Sequence, residues 1–228
     1  MVSGMGKTAV ESARPLGRPP KSQDQRERIL REAARAFANI GYEQCSIAII
    51  ANELDLSPPA LYHYFPTKQS IFTEIAMTSV KGIYDFVLNE LDKEQSFGLQ
   101  LHQMMTAHAR YYEDNYWMMN AVIVGYGGTS RREIEHISEF EAYRQRYEKL
   151  LLTILRGGVK SGEFRKVDVK STARSILQLL NITRWYQPGG SKRAVDIAAE
   201  NFDLIYRSLV DTNVNPLLIN KGHNDAQD

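Results

Sequence analysis

Ser46-Ile47-Ala48-Ile49-Ile50-Ala51-Asn52-Glu53-Leu54-Asp55-Leu56-Ser57-Pro58-Pro59-Ala60-Leu61-Tyr62-His63-Tyr64-Phe65 is the stretch on which the fold turns. A short helix beginning near Ser46 brings Ile47, Ile50, Ala51 and Leu54 to one face. The chain then turns through Asp55-Leu56. Ser57 is placed to cap a second helix, with Pro58 at its first position, where a missing N–H costs nothing. Pro59 is equally tolerable, because first-turn amides have no partner inside the helix. Leu56 just before the cap and Leu61 inside the helix have the spacing of a hydrophobic staple, which sets the angle between the two helices. Two short helices locked across a three-residue turn make a helix-turn-helix.

The flanks extend this reading into an all-α chain, with helical periodicity from about residue 22 to 210 and no convincing alternation of strand type. Upstream, Ser22-Gln23-Asp24-Gln25 fits a capping box with Ser22 as N-cap. Ile29, Leu30, Ala33, Ala34, Phe37 and Ala38 then form one apolar stripe, and Gly41 supplies the residue after the helix end. Downstream, a helix from Thr67 runs through Ile71, Phe72, Ile75, Ile83 and Val87. Longer helices are expected over about 99–114, 116–125, 130–159, 168–187 and 192–211, with breaks at Gly127-Gly128 and Pro188-Gly189-Gly190.

The expected segments are a disordered basic arm (1–21), a helix-turn-helix domain (22–68), a larger helical domain (69–212) and a flexible tail (213–228). The 228 residues carry a net charge of only +1, so charge alone does not announce a nucleic-acid partner. Its distribution says more: Lys7, Arg14, Arg18 and Lys21 face a single acid, Glu11, in the first 21 residues. Hydrophobic content of 43% suffices for a core, yet no apolar run approaches the roughly 20 residues that span a bilayer. With no secretory layout at the N-terminus, a cytoplasmic protein is expected, without membrane contact. The one cysteine, Cys45, excludes an internal disulfide and reads as a small buried apolar side chain.

Arg28 to Ile75 contains Phe37-Ala38-Asn39-Ile40-Gly41-Tyr42, Ser46-Ile47, Ile50-Ala51, Leu56-Ser57 and Leu61-Tyr62-His63-Tyr64-Phe65-Pro66-Thr67-Lys68, about a fifth of the chain. This stretch resembles the DNA-binding domain of the tetracycline-repressor (TetR) family. The resemblance implies a three-helix head joined by helix four to a larger helical domain that binds an effector and dimerises. Two positions depart from the family's pattern. Asp55 stands where Gly is usual, although Asp tolerates the left-handed conformation better than most residues. Tyr64 stands where His is common, with His63 just before it.

A recognition helix presents its first turns to the major groove. Here those turns offer Pro58, Pro59, Ala60, Tyr62 and His63, a slim surface without Arg or Lys for guanine. Thymine-methyl contacts and Tyr or His hydrogen bonds to phosphates are what it can make. Leu61 and Phe65 should face the core, while Tyr62 and Tyr64 read either as DNA contacts or as aromatic packing. Lys68 resembles the family's phosphate-binding lysine at a helix start. Ser46 and Ile47 would lie against the DNA backbone, with Ser46 also able to serve as an N-cap. Gly17-Arg18-Pro19 with Lys21 resembles a minor-groove hook, and non-specific phosphate contact or a merely solubilising tail remain open beside it.

Aromatic and methionine side chains are dense between residues 104 and 147, which suits either core packing or a pocket for a sizeable apolar ligand. The effector-binding candidates are Met105, His108, Tyr112, Met118, Met119, Tyr126, Phe140, Tyr143, Arg144, Tyr147 and Trp185. Thr183-Arg184-Trp185-Tyr186-Gln187-Pro188-Gly189-Gly190 and the helix after it are similar to the C-terminal part of TetR members that sense acyl-CoA thioesters. That likeness implies a homodimer through the last two helices and a CoA thioester effector. Arg110, Arg131, Arg132 and Arg144 are available for CoA phosphates, or serve as solvated helix faces. A free aromatic or other hydrophobic effector is the alternative.

Catalytic readings find little support. His102 and His108 are six residues apart and do not share a helix face. No His-Glu-x-x-His, dinucleotide fingerprint or phosphate loop is present. Neither a cofactor nor a metal is expected. The expected protein is a DNA-binding regulator, by default a repressor, released from a near-palindromic operator by a small molecule.

Overall fold

The computed structural model describes residues 23–125, 134–135, 137–181 and 186–210, together with the helical backbone of residues 21, 22 and 126. Among these residues nine helices and no strand are found. Helix α1 (Lys21–Ile40) buries Ile29, Leu30, Ala33, Ala34 and Phe37, the stripe expected from its periodicity. It begins one residue before the proposed Ser22 cap, so Ser22 lies inside the helix. At the other end Gly41 adopts φ +81°, and its N–H donates to the Phe37 carbonyl at 3.0 Å.

Helices α2 (Ile47–Glu53) and α3 (Pro58–Tyr62) are each started by a serine. Ser46 Oγ accepts from the Ile49 N–H at 3.2 Å and Ser57 Oγ from the Ala60 N–H at 3.3 Å. Between them Asp55 holds φ +55°, the left-handed conformation that the turn demands. That geometry lets the Leu56 N–H reach back to the Ala51 carbonyl at 2.9 Å. Leu56, half-buried, packs against the head's core beside the fully buried Leu61, as the staple spacing requires. Cys45, just before α2, is also fully buried, and that burial raises its thiol pKa against a smaller opposing effect of Lys68.

Thr67 and Ser70 cap α4 (Lys68–Glu90) reciprocally, at 2.9 and 3.2 Å. Arg26 then ties α1 to the turn after α3 and to α4: it donates to the Tyr64 carbonyl at 2.6 Å, pairs with Glu74, and lies 4.0 Å over the Phe65 ring.

The rest of the chain forms α5 (Phe97–Asp114), α6 (Tyr116–Tyr126), α7 (Ile137–Ser161), α8 (Val169–Leu180) and α9 (Ala194–Val210). Helix α8 stops earlier than the expected residue 187: Asn181 forms its C-cap, and Tyr186 and Gln187 are not helical. Distant acids start two of the helices. Glu163 accepts from the Phe97 and Gly98 N–H groups at 2.8 and 2.6 Å, and Glu113 from the Ala194 N–H at 3.0 Å. Helix α9 packs on α5, and α8 on α7. No helix among the described residues is long and apolar enough to cross a membrane.

The head is not sealed off at residue 68. Its core takes in Ile71, Phe72, Ile75, Ala76 and Val80 of α4, then Ala121 of α6, Ile134, and Phe140 of α7. Helix α6 lies along α1, and Arg35 stands 5.6 Å from the Trp117 ring. Residues 1–20 of the expected arm (1–21), the Gly127-Gly128 break, Trp185 and the C-terminal tail fall outside the described residues.

Asp55 yields a stability test. Asp55→Gly should leave the unfolding midpoint unchanged or raise it, whereas Asp55→Val should cost about 1–2 kcal/mol, since a β-branched side chain is strained at positive φ. Equal denaturation midpoints for the two variants would contradict the backbone geometry of this turn.

Candidate nucleic-acid interface and ligand cavity

Helix α3 turns one face into the head and the other to solvent. Leu61 is fully buried, while Tyr62 is 49% exposed, and Pro58, Pro59 and His63 are exposed beside it. Ala60 is half-buried. Tyr64 is different from Tyr62: it is half-buried and packs against the head's core, and its carbonyl takes the Arg26 guanidinium. Ser46 is exposed with its hydroxyl occupied in capping α2, and Ile47 is half-buried against the core. The exposed strip of α3 is therefore apolar and aromatic, with one imidazole. Such a strip can touch thymine methyls and hydrogen-bond phosphate oxygens.

Lys68 flanks this strip at the start of α4. Its Nζ donates to the Tyr42 carbonyl at 2.9 Å and lies 4.2 Å from the Tyr42 ring centroid. An ammonium has three N–H donors, so this contact aims the group without exhausting it. Arg18 and the Lys21 side chain lie outside the described residues.

The second site is a cavity of about 490 Å³ in the larger domain, within the range of small-molecule pockets. Of the residues expected from the sequence, His108, Met119, Phe140, Arg144 and Tyr147 line it. Four others do not. Met105 is buried in the core, and Tyr112 is buried there as well, bordering a separate void of about 30 Å³. Met118 and Tyr143 pack against the core shared with the head, and Tyr143 also meets the Tyr84 ring edge-on at 6.1 Å. The side chains of Tyr126 and Trp185 fall outside the described residues.

Several wall residues escaped the sequence reading. Ser79, Val80 and Ile83 come from α4, Val122 and Ile123 from α6, and Leu177 and Gln178 from α8, with Asn181 at its cap. Glu141, Gln145 and Glu148 add polar groups from α7. Arg144 is exposed and pairs with Glu141 at 3.3 Å.

The cavity's buried polar pair is His108 and Tyr147. Nδ1 of His108 lies 2.7 Å from the Tyr147 hydroxyl, and both side chains are buried. Desolvation lowers the His108 pKa to about 4 and raises that of Tyr147, so both are neutral near pH 7. His108 Nε2 has no hydrogen-bond partner among the described residues. Two tautomers are possible, and counting unmet groups separates them. If the phenol donates to Nδ1, only the Nε2–H is left unmet. If Nδ1–H donates to the phenol, both the phenolic proton and the Nε2 lone pair are left. Each buried unmet group costs about 1–3 kcal/mol, which assigns the proton to Nε2.

Burial of a neutral imidazole has a pH consequence with a definite sign. The unfolded chain binds a proton at His108 below about pH 6.5 and the folded chain only below about pH 4. Stability contributed by the neutral ring is thus complete above pH 6.5 and is lost as the pH falls towards 4. His108→Gln should lack this loss, and the wild-type minus variant stability should fall by about 1.4 kcal/mol per pH unit across that window. A pH-independent difference in denaturant midpoints would place His108 in a solvated environment instead.

Residues 29–75 match the model described as "Bacterial regulatory proteins, tetR family", and residues 96–209 match the "Tetracyclin repressor-like, C-terminal domain". The HTH-type transcriptional repressor KstR2 of Rhodococcus jostii (strain RHA1) is 24% identical over 205 residues, spanning 84% of this chain and 97% of that protein. The TetR family transcriptional regulator PfmR from Thermus thermophilus superposes with a TM-score of 0.72 at 38% identity, covering 80% of this chain and 98% of the other. AibR, solved in complex with isovaleryl coenzyme A and operator DNA, shares the fold with a TM-score of 0.69 at 20% identity, covering 80% and 98%. Head and larger domain are both accounted for, and the chain belongs to the tetR family of bacterial regulatory proteins, a helix-turn-helix transcription regulator and not an enzyme.

Proposed function

We propose that this chain is a repressor that sits on a near-palindromic operator as a homodimer and leaves it when a small molecule fills the 490 Å³ cavity. The observation that carries this reading is a shared wall. Val80 and Phe140 line the cavity and also belong to the core of the DNA-binding head, and Val122, which lines it too, packs against that core. A ligand that displaces these side chains must disturb the packing of α1 and α4 beneath the recognition helix. Close-packed cores adjust in discrete rearrangements rather than by gradual strain. Operator and effector then oppose each other, each weakening the other's binding by the same factor.

On DNA, Tyr62 and His63 would reach base edges or phosphates while Pro58, Pro59 and Ala60 keep the helix slim enough for the groove. Lys68, Ser46 and Ile47 would meet the backbone, and Arg18 with Lys21 would extend along the duplex. Dimerisation through α8 and α9 is supported by apolar side chains left outward on α9, where Leu204 is 67% and Val210 38% exposed. The two heads would then enter successive major grooves, about 34 Å apart. Such a regulator acts in the cytoplasm, on the chromosome.

For the effector, an acyl-CoA thioester is supported by the fold shared with AibR and by Arg144 in the cavity wall. Arg110 is engaged with Glu90 at 2.7 Å, and Arg131 and Arg132 lie outside the described residues. The second reading, a free aromatic or other hydrophobic compound, is favoured by the apolar stretch of wall formed by Ile83, Met119, Val122 and Phe140. Mass spectrometry of small molecules retained by the purified dimer separates the two, and a compound that binds without weakening operator affinity would refute the repressor reading.

Two substitutions test the DNA face, using an operator selected from random duplexes. Tyr62→Ala should abolish specific binding with an unchanged melting temperature; earlier melting would make the ring a structural group. Lys68→Ala should weaken binding to every duplex and reduce the salt dependence by about one unit. An unaltered slope would confine the ammonium to its contact with Tyr42.

A further inference from the structure

Helix α3 has five residues, and an isolated helix of that length does not hold itself together in water. Its setting against the head therefore depends on what grips its two ends. Ser57 grips the first turn. At the other end Leu61 and Phe65 are fully buried, and the Tyr64 carbonyl is held by Arg26. We propose that Arg26, locked in place by Glu74, is a positioning residue for operator recognition: it sets the angle at which α3 presents Tyr62 and His63 to the base pairs, without touching DNA itself. This rests on the reading of α3 as the helix that enters the major groove.

The guanidinium is fixed on three sides. Its Nε donates to Glu74 Oε1 at 3.0 Å and its Nη2 to Glu74 Oε2, a two-pronged contact that sets the plane of the group. With the plane set, Nη1 has one direction left to it, and there it meets the Tyr64 carbonyl at 2.6 Å. One face of the group covers the Phe65 ring, 4.0 Å from its centroid. Tyr64 directly follows Tyr62 and His63, so a hold on its carbonyl is a hold on their direction. As a source of stability the ion pair is minor. Its side chains are 41% and 32% exposed, so water competes for both, whereas Phe37, Leu61, Phe65 and Phe72 give the head its buried core. As a source of direction it has no substitute in lysine, a single-point ammonium that cannot hold a carboxylate and a carbonyl in one plane. Base contacts carry the sequence information and depend on that direction, while phosphate contacts serve any duplex.

The test measures the ratio of operator affinity to random-duplex affinity for the full-length protein, with the operator selected by the wild type from random duplexes. A loss of folded protein lowers both affinities alike and leaves this ratio where it was. Arg26→Lys, which keeps every charge, should lower the ratio about tenfold, within the loss that one wrong base pair brings. Glu74→Gln adds a test of sign. Removing an acid makes the head more positive, which by electrostatics alone tightens binding to operator and random duplex equally. Loss of the anchor should nonetheless lower the ratio by about the same tenfold. The double variant should lose about tenfold as well and not about a hundredfold, because both changes break one device. An unchanged ratio in either single variant, or losses that multiply in the double, overturns the assignment. Equal tightening on both duplexes in Glu74→Gln would make the freed Arg26 a phosphate contact, and overturns it too. Tyr62→Ala separates this outcome from failure of the underlying reading. An intact ratio in Tyr62→Ala means that α3 does not read the operator, and both readings fall. A collapsed ratio there, beside intact ratios in Arg26→Lys and Glu74→Gln, removes the positioning role alone.

Discussion

The core of the head and the wall of the cavity have side chains in common, and much of the molecule is arranged around that fact. Val80, Val122 and Phe140 each have an apolar surface towards the head and another towards the cavity. Burying α1 requires α6 to lie along it, and burying α6 on its other side requires α4 and α5. No boundary drawn at residue 68 describes this packing. The DNA-binding head is a head by function, but its hydrophobic core is completed by the domain that contains the cavity. A short route of coupling between the two sites is open through these core side chains.

How much of this could be read from residues alone depended on the range of the interactions. The head was legible because its determinants are local: Ser46 and Ser57 as caps three residues from the amides they accept, Leu56 and Leu61 at staple spacing, Asp55 at the one left-handed position of the turn. Each rule spans fewer than about six residues. The Ser22 cap failed for the opposite reason. Serine is a good N-cap anywhere near a helix start, so its presence does not by itself fix the first helical residue.

The cavity was half legible. Density of Met and aromatic residues found His108, Met119, Phe140 and Tyr147, yet it equally selected Met105 and Tyr112, which face the core. The two classes have the same composition and periodicity and differ only in which neighbour closes over them. Ser79, Val80 and Ile83 carry no compositional mark, and α8 contributes Leu177 and Gln178 from across a long stretch of chain. The starts of α5 and α9 fall within two residues of their expected places, but the acids that meet their first amides, Glu163 and Glu113, stand 65 or more residues away in sequence and could not be read from it. Nor could spacing place His108 against Tyr147, 39 positions apart on different helices.

Cys45 offers something beyond its contribution to packing. A thiol with no exposed surface and a raised pKa is shielded twice, since reagents need both access and the thiolate. Its neighbours include the cap that starts α2, so reaching it requires the helix-turn-helix to come apart. Its alkylation rate is therefore a clock on transient opening of that unit, read from an atom the protein already contains. Measured with and without operator, the clock reports how far DNA rigidifies the reading head, without any label or mutation.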